Sequence, residues 1–139
     1  LAALGAHEVV TPEEAHDHGP FDVVLELVGA PNMDANVKSL APWGRITVIG
    51  VGGGAKVELN LLALMGTRGR VHGSTLRARP LEEKVAATRA VGRHVVPLLA
   101  AGRVRVPVEA TYDLADAAAA YERFTTPGKV GKVVLTSGV

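Results

Sequence analysis

Two segments of this chain restrict its fold more than any other. Phe21-Asp22-Val23-Val24-Leu25-Glu26-Leu27-Val28-Gly29 and Gly44-Arg45-Ile46-Thr47-Val48-Ile49-Gly50 are near-continuous runs of β-branched residues and leucine, each closed by a glycine. A strand that is apolar on both faces belongs in a parallel sheet covered by helices on either side. A strand with one wet face would alternate instead. Glycine at the carboxyl end lets the backbone approach whatever fills the crevice where open parallel sheets bind ligands. The opening Leu1-Ala2-Ala3-Leu4-Gly5-Ala6 reads as the last turn of a helix with a glycine stop, and no initiator methionine stands before it. The expectation is an α/β fold whose sheet is incomplete at its leading edge.

The other elements follow from spacing. His7-Glu8-Val9-Val10 is predicted as a short strand, and Thr11-Pro12-Glu13-Glu14 carries the cap, first-turn proline and capping-box glutamate of a brief helix. Gly29-Ala30-Pro31 starts a helix running to about Ala41, and Pro42-Trp43-Gly44 turns into the second long strand. Asn60 is placed to cap a short helix through Met65, and a third strand spans Arg70 to Thr75. Leu81, Val85, Val91, Val95, Leu98 and Leu99 repeat at the helical period, predicting one long helix from Pro80 to Ala101, kinked at Pro97 and stopped at Gly102. An extended stretch (Val106 to Tyr112), a helix capped by Asp113 and a last strand, Lys132 to Leu135, complete the chain. No linker, repeat or low-complexity tract divides the 139 residues.

Composition excludes several functions. The formal charge is only +1 and aromatic residues make up 4%, so neither a basic nucleic-acid surface nor a base-stacking platform is available. No apolar run reaches the roughly 18 residues of a membrane span. With no cysteine there is no disulfide, thiolate zinc site or cysteine nucleophile. The expectation is a soluble, cytoplasmic protein.

The candidate sites differ in how much their context supports them. Gly50-x-Gly52-x-x-Ala55 has the spacing of a dinucleotide fingerprint, but Lys56-Val57-Glu58-Leu59 separates it from any helix, and no acidic residue about 20 positions on is placed to hold a ribose. It reads as a mobile loop at the mouth of a crevice. His16-x-His18 lacks a third metal ligand, and His7, His72 and His94 read as surface or packing residues. Ser39, Ser74 and Ser137 lie outside any nucleophile elbow. Glu26, inside a buried strand, needs a partner, and a structural salt bridge is expected over a catalytic role. Arg77 and Arg79 precede the long helix, where cations oppose the helix dipole, so an external anion or an acidic partner is expected.

Taken in order, Leu4-Gly5-Ala6-His7, Asp22 through Gly29, Leu40-Ala41-Pro42-Trp43-Gly44-Arg45, Val48-Ile49-Gly50, Gly73-Ser74-Thr75-Leu76-Arg77-Ala78-Arg79 and Gly131-Lys132-Val133-Val134-Leu135 resemble the C-terminal half of the cofactor domain of medium-chain dehydrogenase/reductases (zinc-type alcohol dehydrogenase superfamily). The nearest branch is the zinc-independent, quinone oxidoreductase-like one, similar to p53-inducible quinone oxidoreductases. The resemblance implies an incomplete Rossmann-type doubly wound parallel sheet over residues 1–139, with the first two strands and the glycine-rich turn missing. Strand 132–135 would normally join the substrate domain and would here lack its partner.

It implies NADPH as cofactor, with NADH as the alternative, and hydride transfer to a small quinone or conjugated carbonyl. The implied cofactor contacts are Val28, Gly29, Ile49, Gly50 and Val51, with Thr75, Leu76 and Arg77 closing the nicotinamide end. No catalytic residue and no zinc site fall in this chain, and a homodimer would pair strand 70–74 edge to edge. In the usual strand order, two absent strands would leave the segment at His7 roughly 14 Å from the strand at Phe21, so it is expected to leave its family position. Weak or undetectable cofactor binding and no turnover are expected of the chain alone. A non-catalytic nucleotide-binding or dimerisation module is the alternative. A methyltransferase is the third, disfavoured because Ile46 to Gly50 supplies no acidic residue.

Overall fold

The computed structural model describes residues 1–138. They form two compact units, one from Ala2 to Pro80 and the other from Leu81 onward.

The first unit is a three-stranded parallel sheet, built from β1 (Phe21–Glu26), β2 (Leu40–Val48) and β3 (Arg70–Gly73) in that spatial order. Val24, Ile46 and Val71 lie in register across it. The crossovers carry α1 (Ala30–Lys38) and α2 (Leu61–Thr67). Met33 and Val37 of α1 meet Leu40 and Ile46 of β2 in the core, with Val24, Val48, Leu59, Ala63 and Leu64 packed around them. Ile46 is wholly buried, as expected for a β-branched residue on the middle strand of a parallel sheet. Asn60 caps α2 as its position predicts, accepting from the Ala63 amide at 3.0 Å.

Two expectations in this unit are corrected. His7 to Val10 forms no ladder with any of the described residues; without a neighbouring edge to exchange hydrogen bonds, an extended segment is not a strand. Thr11 and Glu14 do close the expected box, with the Glu14 carboxylate accepting from the Thr11 amide at 3.1 Å and hydroxyl at 2.9 Å. The helix that follows is a single 3₁₀ turn, Ala15–His18. The second correction concerns the start of β2, expected at Gly44 and found at Leu40. Ser39 ends α1 by returning its hydroxyl to the Ala35 carbonyl at 2.8 Å, and its own carbonyl accepts from the Phe21 amide at 2.8 Å. That bond draws the chain alongside β1 immediately. The expected turn survives as a bulge inside the strand, with Trp43 at φ 64° between the Phe21–Leu40 and Val23–Arg45 pairs.

In the second unit, α3 (Leu81–His94) and α4 (Val96–Ala100) replace the single kinked helix. Pro97 sits in the first turn of α4, where its missing N–H costs nothing, so the helix restarts there instead of bending. The apolar positions of α3 are exposed. β4 (Val108–Asp113) and β5 (Lys132–Thr136) then form a parallel pair joined through α5 (Ala117–Thr125). β5 therefore has a partner inside this chain, against expectation, from Val108–Lys132 to Asp113–Thr136. Glu109 fastens the pair: its carboxylate binds Arg123 of α5 and accepts from the Val130 amide at 3.2 Å. Asp113 ends β4 opposite Thr136 and makes no side-chain capping bond to the 3₁₀ turn Leu114–Asp116 that follows.

Candidate functional site

The carboxyl ends of β2 and β3 open into a cleft of about 450 Å³, within the first unit. Val48, Ile49, Gly50 and Val51 line one side, and Gly73, Ser74 and Thr75 the other. The Ser74 amide donates to the Val48 carbonyl at 3.0 Å, which carries the ladder one step past β3 and holds the two sides at sheet spacing. This is where a parallel sheet offers a ligand its free backbone groups. Among the described residues no charged side chain lines the cleft; its polar atoms are two hydroxyls and main-chain groups.

Two glycines let the chain close up behind it. Gly29, at φ 103°, bridges to Gly54, and a Cβ there would strike the Gly54 carbonyl and come within 2.9 Å of the Val51 Cα. At Gly50 a Cβ would strike the Leu27 carbonyl. The turn after β1 and the loop 50–54 are thus packed main chain against main chain. They are joined by Gly53 N–H to the Val28 carbonyl at 2.8 Å and Ala30 N–H to the Gly54 carbonyl at 2.9 Å.

Glu26, the last residue of β1, is 3% exposed. Its Oε1 accepts from the amides of Val28 at 2.6 Å and Gly29 at 2.7 Å and from Asn32 Nδ2 at 3.4 Å. Its Oε2 accepts from Asn36 Nδ2 at 2.5 Å. The expected salt bridge is replaced by amide donors: the main-chain N–H groups of Val28 and Gly29, in the turn that enters α1, and the side-chain amides of Asn32 and Asn36 on α1 itself. Burial pushes the Glu26 carboxyl up, but the Gly29 and Val28 amides, then Asn36 and Asn32, outweigh it and hold it below the ordinary value of 4.5.

Of the residues singled out from the sequence, the cleft gathers Ile49, Gly50, Val51 and Thr75. Val28 and Gly29 stand outside its lining and act on it through the loop 50–54. Leu76 and Arg77 are exposed and outside the lining as well. Arg79 turns back on its own loop, donating from Nε to the Thr75 carbonyl at 2.7 Å and from Nη2 to Ser74 Oγ at 3.0 Å. These bonds brace its own segment. Val48, Gly73 and Ser74 also line the cleft; they stand in the motifs quoted from the sequence but not among the implied contacts, since nothing local reports which two strand ends become neighbours. Glu26 does carry a signal: a carboxylate in an apolar strand must find donors.

His18 pairs with Glu8 at 2.7 Å and His16 lies 3.2 Å from Asp17. Among the described residues no group of three or more His, Cys, Asp or Glu side chains is placed to hold a metal. No helix among them is long and apolar enough to cross a membrane.

A parallel sheet with helical crossovers and a neutral cleft at its carboxyl edge defines a Rossmann-like α/β protein. Residues 4–135 match the family model described as zinc-binding dehydrogenase, and the chain belongs to that family. The resemblance read from the motifs is therefore borne out. The chain is 31% identical over 117 residues to the acryloyl-coenzyme A reductase of Metallosphaera sedula, covering 84% of this chain and 32% of that protein. Among solved structures it resembles the quinone oxidoreductase of Thermus thermophilus, also solved with NADPH (TM-score 0.77, 31% identity, 98% of this chain and 44% of that one). It also resembles a cobalt- and zinc-bound alcohol dehydrogenase from Pyrobaculum aerophilum (TM-score 0.76, 37% identity, 98% and 38%). The chain thus spans less than half the length of each relative. The family's zinc finds no matching donor set among the described residues, which contain no cysteine.

Proposed function

We propose that this chain supplies the nicotinamide end of the cofactor pocket in an NADPH-dependent oxidoreductase that reduces a quinone or conjugated carbonyl. The observation that carries the reading is the neutral cleft. An uncharged amide-bearing ring fits a pocket of valine, isoleucine, glycine backbone, Ser74 and Thr75, whereas a phosphate would find no cation in its lining. Bound there, the cofactor supplies the hydride. Ile49 and Val51 present apolar surface to one side of the ring and exclude water. Ser74 and Thr75 offer hydroxyls to its carboxamide. Arg77, exposed two residues beyond Thr75, is the cation proposed to meet the phosphates. The oxidoreductase relatives and the NADPH complex of the Thermus enzyme support this reading.

With its nearest cations outside the lining, Arg77 exposed and Arg79 bound to Ser74 and Thr75, the affinity of the chain alone is expected to be weak, on the order of 1 mM. In an amide-resolved NMR titration, NADPH should shift Ile49, Gly50, Val51, Ser74 and Thr75, and Arg77→Ala should weaken the effect. Shifts confined to other residues, or none at millimolar cofactor, would overturn the assignment. Micromolar affinity would overturn the expected weakness.

A homodimer through β3 belongs to the same proposal. β3 is the edge of its sheet and all four of its residues are exposed, so a two-fold pairing would satisfy its open N–H and carbonyl groups. Sedimentation should then show a dimer that Val71→Pro dissociates; a monomeric parent chain rules it out.

A further inference from the structure

Glu26 reaches the rear of the cleft with both its side chain and its main chain. Its carbonyl accepts from the Ile49 amide at 2.9 Å and the Gly50 amide at 3.2 Å, fixing one wall. Its carboxylate gathers the Val28 and Gly29 amides, fixing the turn on which the loop 50–54 is hung. From that turn the connection runs through the Val28 carbonyl to Gly53 and through Ala30 to Gly54, and Gly54 N–H closes on the Val51 carbonyl at 3.0 Å. Removing the side chain would leave the backbone walls chemically intact but release the turn that sets their separation.

We infer that Glu26 is a positioning residue for the cleft, acting by locking the β1 exit turn against the loop that carries Val51. The inference deepens the cofactor reading and rests on it for its functional meaning, though not for its structural content. Every hydrogen-bonding neighbour of the carboxylate is an N–H donor, so an ionised acid suits the site and an amide does not. In Glu26→Gln the side-chain carbonyl could still accept from the Val28 and Gly29 amides. The introduced NH₂ would then face the NH₂ of Asn36, donor against donor. Adding Asn36→Asp would turn that conflict into a matched pair, with the introduced amide donating to the introduced carboxylate.

The test measures amide hydrogen exchange in the full chain without cofactor. In Glu26→Gln, exchange at Gly29, Ala30, Gly53 and Gly54 should rise about tenfold or more, the equivalent of one charge-assisted hydrogen bond. Ile46 and Val24 should keep their parent rates, and the double variant Glu26→Gln with Asn36→Asp should restore the loop. If Glu26→Gln does not fold, Glu26→Asp, which keeps the charge but shortens the reach, takes its place with the same expectation. Unchanged loop exchange in a folded variant, or a uniform rise across the whole unit, overturns positioning in favour of plain stabilisation. A second arm repeats the NADPH titration on the same variants. If the loop responds but NADPH shifts no cleft residue in the parent chain, the cofactor reading fails while the positioning role stands.

Discussion

Replacing Gly50 by alanine tests the close packing behind the cleft more sharply than any side-chain truncation. The added methyl would lie on the Leu27 carbonyl, 2.8 Å from its carbon and 3.0 Å from the Leu27 Cα. All three atoms are main chain, so no rotamer change can make room, and the ends of β1 and β2 must separate. Separation stretches the Ile49 and Gly50 amide bonds to the Glu26 carbonyl, at 2.9 and 3.2 Å. Two lost hydrogen bonds cost about 1 kcal/mol each, and overpacking adds about 1–3 kcal/mol, for a total of about 3–5 kcal/mol. In a unit of this size each kcal/mol lowers the melting temperature by about 4–8 °C, so a drop of about 15 °C or more is expected. Trp43, the one tryptophan, lies in β2 and reports this unit by its fluorescence. Gly52→Ala in the same loop is the control: its Cβ would meet nothing within 4 Å, and Tm should hold or rise slightly. Equal melting of the two variants, within about 2 °C, would refute the packing argument.

Three further outcomes follow from single contacts. Because Glu26 titrates below its ordinary value of 4.5, its stabilisation is complete above that pH and drains away as pH falls below it, through the lowered folded value. Acid unfolding followed by Trp43 fluorescence should therefore lose part of its slope in Glu26→Gln, and an identical acid limb in both proteins would contradict this. Asn60→Ala removes the cap on the Ala63 amide and should cost about 1 kcal/mol, with Asn60→Asp close to the parent, both read by urea unfolding. Arg123→Ala frees a carboxylate that the Arg123 hydrogen bond, then the Val130 amide, holds below its ordinary value. The pair is partly exposed, at 28% and 26%, so calorimetry should show only a small drop in Tm, and a large one would contradict a solvent-screened pair.

Much of the architecture is legible in the sequence because it rests on near neighbours. The apolar runs at Phe21 and Gly44 announce buried parallel strands, Asn60 announces its helix, and the glycines closing the two strands mark close main-chain approach. Pro97 marks an interruption, though the result is a new helix and not a bend. The errors fall where a distant partner decides the outcome. Leu40 fits the period of α1, yet joins β2 because the Phe21 amide lies beside the Ser39 carbonyl. Asp113 has the chemistry of a cap but makes no capping bond, and β5 finds β4 as its partner. Arg79 is the local exception, binding the Thr75 carbonyl and the Ser74 hydroxyl of its own turn.

The order of residues was therefore sufficient for the family, through motifs that resemble its members in the same order, and for the strand type and the position of the crevice, since periodicity and glycine placement act over a few residues and survive any later packing. Folding in three dimensions chose which strand ends face each other across the cleft and which donors surround Glu26. The first choice depends on contacts between atoms far apart along the chain, and the second on how the β1 exit turn and α1 bring nearby donors onto one carboxylate, a geometry that no periodicity encodes.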